Sequence, residues 1–403
     1  MAVIRPFRAI RPHPDSAPRV AAVPYDVVDT EEAKALARGN PLSFLHVSRA
    51  EIDLPPGTDP HADVVYETAA ERYRALRREA PLVQESEPSL YLYHLDYEGH
   101  GQTGLAACYS LDEYDAGVIK KHERTRRDKE DDRTRHITEL RAQTGPVFLA
   151  HRPNRAVQAL SDEMRARRQP SIDFTALDGV RHAVWTIDAG SARAFVEAFA
   201  DIDALYIADG HHRAASAART RQALPGSTEA QSFLAVAFPS DQLRILPYNR
   251  VVRDLHGMTS DHFLGTVARR FAMVPGPATP AHKGQVSIYV AGRWYTVDLE
   301  SAGAPAGGVL DTLDGNVLQD RLLRPILGIE DVRTDTRIDF VGGVRGVHAL
   351  EQMVDSGKMA AAFSMYPVSM VDLMTVSDAG EIMPPKSTWF EPKLRDGLLI
   401  HEI

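Results

Sequence analysis

The chain has 403 residues, 44% of them hydrophobic and 25% charged, a globular balance that excludes a wholly disordered or fibrous protein and leaves room for about two to three domains. Acidic residues number 55 against 46 basic ones, and the resulting charge of −9 opposes general binding to a nucleic-acid backbone. The single cysteine, Cys108, excludes an intrachain disulfide and a cysteine-based zinc cluster, and it suits a reducing, cytoplasmic setting.

The first dozen residues carry Arg5, Arg8 and Arg11 and lack the unbroken apolar core of a secretory signal. No apolar run of about 18 residues follows, so no membrane span is expected. A helix is predicted over Thr30 to Arg38, with Glu31 and Glu32 in its first turn, and a longer one over Asp63 to Glu79. In the latter Val64, Val65, Ala69, Tyr73 and Leu76 recur near the helical period. Leu90 to Leu95 reads as a strand ended by a polar turn, Asp96 to Gly104, and residues 1–104 as an N-terminal αβ lobe.

A second lobe is expected over residues 105–253. It contains a strand (Leu105 to Leu111), a charged helix from about Val118 to Arg141, a strand (Val147 to Ala150) and a surface linker (Arg152 to Ser171). A strand, glycine turn and helix (Leu205 to Arg221) and a buried strand (Phe233 to Pro239) complete it. Alternating strands and helices imply an α/β fold of the mixed α+β kind, a mixed sheet covered by helices. Residues 254–403 read as a C-terminal αβ region. A helix near Asp261 to Phe271 precedes a hairpin, Val286–Val290 with Trp294–Leu299 around Ala291-Gly292-Arg293. A helix around His348 to Ser356 and a closing arm, Met383 to Phe390, follow. No repeat of 20–50 residues is visible, which argues against a solenoid.

Three blocks carry candidate chemistry. In Ala204 to Ser216 an apolar strand meets Asp209-Gly210 and a helix starts at once, so unpaired amides and the positive helix end face the turn. Arg213 offers a planar fork for phosphate oxygens, and His211 and His212 are further donors. The plainer alternative is a helix capped by Asp209. Adjacent histidines point apart on a helix, which weighs against a zinc site. In Lys120 to His136, pairs such as Arg124 with Asp128, Arg126 with Glu130 and Asp131 with Arg135 would support a solvated helix. That account leaves out Lys120-Lys121-His122-Glu123, whose ammonium groups would crowd a helix start unless a ligand supplies negative charge. In Met383 to Leu394, Lys386-Ser387-Thr388 lacks the Gly-x-x-x-x-Gly of a P-loop. Two prolines stiffen the approach to Lys386 and Ser387, and a rigid arm packing Trp389 and Phe390 explains the block equally well.

Together with Arg5-Pro6-Phe7-Arg8-Ala9 and Ala22-Val23-Pro24-Tyr25-Asp26-Val27-Val28, these blocks resemble the DUF1015 family over nearly the whole chain. The middle lobe resembles the ParB/sulfiredoxin superfamily in the order Cys108 to Leu111, His122-Glu123, Asp131 to Arg141, Pro146 to Leu149 and Asp209 to Arg213. A long insert between Ala150 and Ala204 departs from it. A sulfiredoxin needs a cysteine where His211 stands, and a ParB protein needs a helix-turn-helix that is not visible after Arg221. The branch that fits is the free serine kinase, with its His-Glu and Asp-Gly-His-x-Arg motifs. That resemblance implies transfer of a phosphoryl group from ATP or ADP to the hydroxyl of L-serine or a similar small molecule, with Mg2+. Glu123 would be the base and Asp209 a metal or acceptor-orienting carboxylate. Gly210, His211, His212 and Arg213 would cradle phosphate, joined by Lys120, Lys121, His122, Arg126, Lys386 and Ser387. A non-catalytic nucleotide-binding regulatory module and a nucleotide or phosphate-ester hydrolase are the competing readings, and a homo-oligomer is compatible with the sequence.

Overall fold

Strands that are apolar on both faces need cover on both faces, and the first part of the chain builds its sheet from such strands. The structure, a computed structural model, describes residues 2–79, 82–303 and 307–403. In chain order the strands of this nine-stranded sheet are β1 (Ile4–Arg5), β2 (Leu90–Tyr97), β3 (His100–Ser110), β4 (Ile119–Lys120), β5 (Val147–His151), β6 (Ile172–Thr175), β7 (Arg181–Ile187), β8 (Leu205–Asp209) and β9 (Ser232–Pro239). They hydrogen-bond in the order β4-β8-β5-β9-β3-β2-β7-β6, with β1 added on β3. Pairs β4–β8 and β5–β9 are parallel and the others antiparallel, which makes the sheet mixed.

Among the described residues six α-helices of eight or more residues accompany it: α1 (Thr30–Ala37), α2 (Asp63–Glu79), α3 (Arg127–Leu140), α4 (Arg155–Arg167), α5 (Ala189–Ala200) and α6 (His211–Ala223). Alternate residues Leu105, Ala107 and Tyr109, Val147 and Leu149, and Leu205 and Ile207 point to one face. There they pack with Phe195 and Phe199 of α5 and Ala214 and Ala217 of α6. A second core gathers Phe44, Val65, Tyr73 and Leu76 with Leu140 and Ile400. Helix α1 starts with a capping box between Asp29 and Glu32.

Several sequence expectations are corrected here. Only Glu98-Gly99 turns the chain between β2 and β3, both residues at positive φ (54° and 78°), so the expected turn Asp96 to Gly104 is mostly strand. The expected boundary after residue 104 falls inside β3. Helix α3 starts at Arg127 rather than near Val118, because Ile119–Lys120 forms a parallel pair with β8. The charge anomaly at Lys120-Lys121 therefore disappears, since no helix begins there. Arg126 pairs with Asp128 (2.7 Å), Arg135 with Asp63 (2.7 Å) and Arg219 with Glu130 (3.4 Å), in place of the expected i,i+4 ladder. The expected linker Arg152 to Ser171 contains α4, capped by Asn154 and burying Val157, Ser161 and Met164.

Two compact units result: Met1–Leu243 with Pro392–Ile403, and Arg244–Glu391. The last twelve residues thus return to the first unit, where His401–Glu402 pairs with Ala142–Gln143. The second unit has its own antiparallel sheet of β10 (Tyr248–Val252), β11 (Ala272–Pro275), β12 (Gln285–Val290), β13 (Arg293–Asp298), β14 (Ile338–Gly342) and β15 (Ala361–Met365), ordered β11-β13-β12-β15-β10-β14. The hairpin β12–β13 forms as expected, with Ala291 and Gly292 at positive φ. Phe263, Ile288, Leu322 and Phe363 fill its core. Among the described residues no helix is long and apolar enough to cross a membrane.

Candidate functional site

The site begins with a local irregularity. Between Ile207 and Asp209 the β5–β8 register shifts, so Ile207 opposes Leu149 while Asp209 opposes Phe148, and the bulge re-aims the Asp209 side chain. Gly210 follows at φ 89° and ψ 31°, a conformation that costs an L-residue roughly 1–2 kcal/mol. A Cβ there would also lie 3.1 Å from Cζ and Nε of Arg213. Helix α6 then starts at His211 with no side-chain cap, so Asp209 does not cap it. The first bond of the ladder is the Ala214 N–H to the Gly210 carbonyl (3.0 Å). The amides of His211, His212 and Arg213 stand outside that ladder, at the positive end of the helix.

Both histidines of the turn act as struts for the segment between β4 and α3. The backbone N–H of His122 donates to His211 Nε2 (3.4 Å), and that of Arg126 donates to His212 Nε2 (3.0 Å). A ring nitrogen that accepts carries no proton, which assigns the proton of each ring to Nδ1. Burial pushes both imidazoles below their ordinary range. His122, whose ring meets that of His211 edge-on at 4.5 Å, is pushed down to about 4, again by burial first. His211 Nδ1 lies 3.8 Å from Glu123 Oε2, so the neutral imidazole presents its N–H toward the half-buried carboxylate.

Behind the turn lies a charge network. Arg213, buried, donates to the Pro146 carbonyl and to Asp209 Oδ2 (3.2 Å) and lies 3.7 Å from Asp26 Oδ2. Lys393 Nζ reaches the same Asp209 oxygen at 3.5 Å. Burial alone would raise the Asp209 carboxyl, but Lys393, Arg213 and His211 outweigh it and hold the group well below the carboxylate range. Asp396 behaves oppositely: burial pushes it up to about 7 against the pull of Arg213. Among the described residues its Oδ1 has no hydrogen-bond partner. Asp396 and Arg213 line a partly open pocket with Tyr25, Arg133 and Gln143. The Arg133 guanidinium sits 4.0 Å over the Tyr25 ring.

The structure thus brings together His122, Glu123, Asp209, Gly210, His211, His212 and Arg213. Lys120 stands opposite Tyr206 in the β4–β8 register. Lys121 places its ammonium 3.6 Å over the Tyr114 ring, and Arg126 forks onto Asp128 (2.7 and 3.2 Å). Those local partners account for both side chains without a phosphate. Lys386 and Ser387 belong to the second unit, where Lys386 Nζ lies 5.4 Å over the Tyr248 ring and Ser387 Oγ donates to the Pro384 carbonyl (2.7 Å). Sequence reasoning assigned no role to Asp26, Lys393 or Asp396. Asp26 stood inside the conspicuous Ala22 to Val28 block. Lys393, Arg395 and Asp396 precede the apolar run Leu398 to Ile400, and charges bordering a buried run are a readable signal.

The Mg2+ implied by the resemblance requires hard oxygen ligands. Asp209 Oδ2 is already shared by two cations. His122, Glu123 and His211 offer ligand atoms within 4.8 Å of one another, but two nitrogens and one oxygen form a donor set for a softer ion. The residues present do not fit a Mg2+ ion held by Asp209.

Cys108, where it lies on β3, is buried, and burial raises its thiol to about 12, which removes it as a nucleophile. No curated protein matches the chain. Among solved structures it is similar to a free serine kinase variant in complex with AMP, at 12% identity and TM-score 0.36, covering 72% of this chain and 92% of that one. It is similar to the free serine kinase itself in complex with AMP, at 12% identity and TM-score 0.36, covering 72% and 91%. A conserved hypothetical protein from Pyrococcus furiosus is similar at 14% identity and TM-score 0.35, covering 72% and 93%. The family described as "Protein of unknown function (DUF1015)" matches residues 4–316, the stretch that holds Tyr25-Asp26, His122-Glu123 and the Asp209 to Arg213 turn, and the chain belongs to that family.

Proposed function

We propose that the chain is a small-molecule kinase, transferring a phosphoryl group from ATP or ADP to a hydroxyl, with L-serine as the first acceptor to test and O-phosphoserine as its product. One observation carries the reading. An uncapped helix start with three outward amides lies beside a carboxylate, Glu123, that faces a neutral histidine of the same turn. Phosphoryl transfer asks mainly for positioning and charge neutralisation. The amides of His211, His212 and Arg213 would hold the donor phosphates. Glu123 would take the hydroxyl proton as the acceptor oxygen bonds to phosphorus and the bond to the nucleotide's bridging oxygen breaks, releasing ADP or AMP. His211 would orient Glu123 and exchange no proton. Arg213, committed to Pro146 and Asp209, would position the turn rather than grip phosphate, while Lys393 supplies the nearby cation.

A second reading, a nucleotide-binding regulatory module, draws on the neutralisation of Asp209 by two cations, which leaves no Mg2+ held by Asp209. A single-turnover reaction with ATP or ADP, magnesium chloride and a mixture of amino and hydroxy acids, read by mass spectrometry, decides between them. A phosphoryl mass added to L-serine or another alcohol supports the kinase. Bound nucleotide without product favours the module, and phosphate released without an acceptor favours a hydrolase.

A further inference from the structure

The second unit holds charged groups that the phosphate turn does not use. Arg250 on β10 is 7% exposed, and it lines a partly open pocket. Its Nη1 donates to the Tyr248 carbonyl (2.5 Å), and its Cζ lies 5.6 Å from the Phe340 ring. Among the described residues no carboxylate forms an ion pair with it. Burial pulls the guanidinium down to about 10, with Asp314 the charge that opposes this. A guanidinium carries five N–H donors, and a buried cation without an ionic partner is expensive.

Asp314 lines the same pocket. Its two oxygens accept from the Gly284 N–H (3.0 and 3.1 Å), and burial pushes it up to about 6. Lys283, also on the wall, is taken by Asp372 at 2.6 Å. One pocket therefore contains a cation and a carboxyl that do not pair with each other, between apolar walls of Leu313, Met365 and Pro367. Pro384 and Ser387 of the closing arm complete the lining, and Lys386 between them is held at φ 60°, a conformation that L-residues avoid. The Pro-Pro-Lys-Ser block thus belongs to this pocket.

We propose that the pocket is a binding site for an α-amino acid, with the ligand's carboxylate on Arg250, its ammonium on Asp314 and its side chain against Leu313, Met365 and Pro367. A carboxylate supplies the planar acceptor that a guanidinium fork fits, and a ligand with both charges supplies an ionic partner to both groups at once. The site is independent of the phosphate turn and stands whether or not the chain is a kinase.

The test is calorimetry on the full chain with L-methionine and L-alanine, which carry no hydroxyl and cannot accept a phosphoryl group. Propionate and inorganic phosphate serve as comparison probes. L-Methionine is expected to bind wild type and Glu123→Gln alike, and propionate at least about tenfold more weakly than L-alanine. Arg250→Met and Asp314→Asn should each weaken L-methionine at least about tenfold. Arg250→Met should keep or raise the thermal midpoint of the unliganded protein, because it removes a buried charge. If Arg250→Met does not fold, Asp314→Asn carries the test alone. The proposal is overturned if neither amino acid binds wild type, if phosphate binds and the amino acids do not, or if a folded variant retains wild-type affinity for L-methionine.

Discussion

Replacing Asp396 by asparagine should stabilise the first unit, and increasingly so as the pH rises. The carboxyl is 3% exposed, and burial displaces it from the ordinary 3.8 to about 7. At about 1.4 kcal/mol per pH unit that displacement corresponds to about 4 kcal/mol. Between pH 3.8 and about 7 the folded chain keeps a proton that the unfolded chain has lost. Stability therefore falls with rising pH across this window and levels off above it. Asparagine keeps the shape and never ionises, while the backbone bridge between residues 22 and 396 is untouched. The wild-type curve alone would mislead. His122 and His136 are both pushed down to about 4 by burial, and they contribute stability present above the ordinary 6.5 and lost as the pH falls. Their slope opposes that of Asp396 over much of the same range, but it is common to both proteins and cancels in the difference. Asp132, held at about 2 against burial by Arg133, acts only below the window. Urea unfolding of both proteins from about pH 4.5 to 8.5 should show a difference that starts small and grows by up to about 1.4 kcal/mol per pH unit until pH 7. A difference that does not vary with pH, or an asparagine protein that loses stability as pH rises, would refute the reasoning and show Asp396 ionised and paired with Arg213.

What the sequence made legible was local. Helix α2 occupies Asp63 to Glu79 as read, because Val65, Ala69, Tyr73 and Leu76 form one apolar stripe that the second core buries. The turn at Gly210 was legible because a glycine between an apolar strand and a polar helix start has few other uses. The failures share a cause, contacts distant in sequence. Ile119–Lys120 reads as helix until β8, more than 80 residues later, pairs with it, and His122 reads as part of the same charged helix until His211 closes over it. Flanking arginines hid α4, although Val157, Ser161 and Met164 recur at helical spacing. The boundary after residue 104 failed because the polar residues His100 to Thr103 are strand residues whose cover comes from elsewhere in the fold; Thr103 N–H, for one, donates to the Gln242 side chain. Lys393 and Asp396 meet the site only because the last twelve residues return to the first unit.

Gly210→Ala should destabilise the first unit by about 1–2 kcal/mol through its φ of 89°. By pushing on Arg213 it should also reduce ADP affinity in calorimetry. Native Cys108 should resist iodoacetamide and react fully in urea, and fast alkylation of the folded chain would contradict its burial. Glu123→Gln should lower kcat about 10²–10⁴-fold with ADP affinity nearly unchanged, and a variant keeping more than about a tenth of kcat would remove the base assignment. Lys393→Met separates two roles of one ammonium. Lys393 is the largest of the charges that hold Asp209 down, so its loss should raise the Asp209 carboxyl in the folded chain. A depressed carboxyl contributes stability above its unfolded value and loses it as pH falls through the folded one, so the variant should unfold at a higher pH on acidification. If the ammonium also grips a donor phosphate, ADP binding should weaken by about 1.5–3 kcal/mol at neutral pH, as for other hydrogen bonds to charged groups. Lys393→Arg should recover both effects in part, since it restores the charge on a different fork. Wild-type ADP affinity in Lys393→Met, together with the acid shift, would confine Lys393 to holding Asp209 and take it out of the phosphate site.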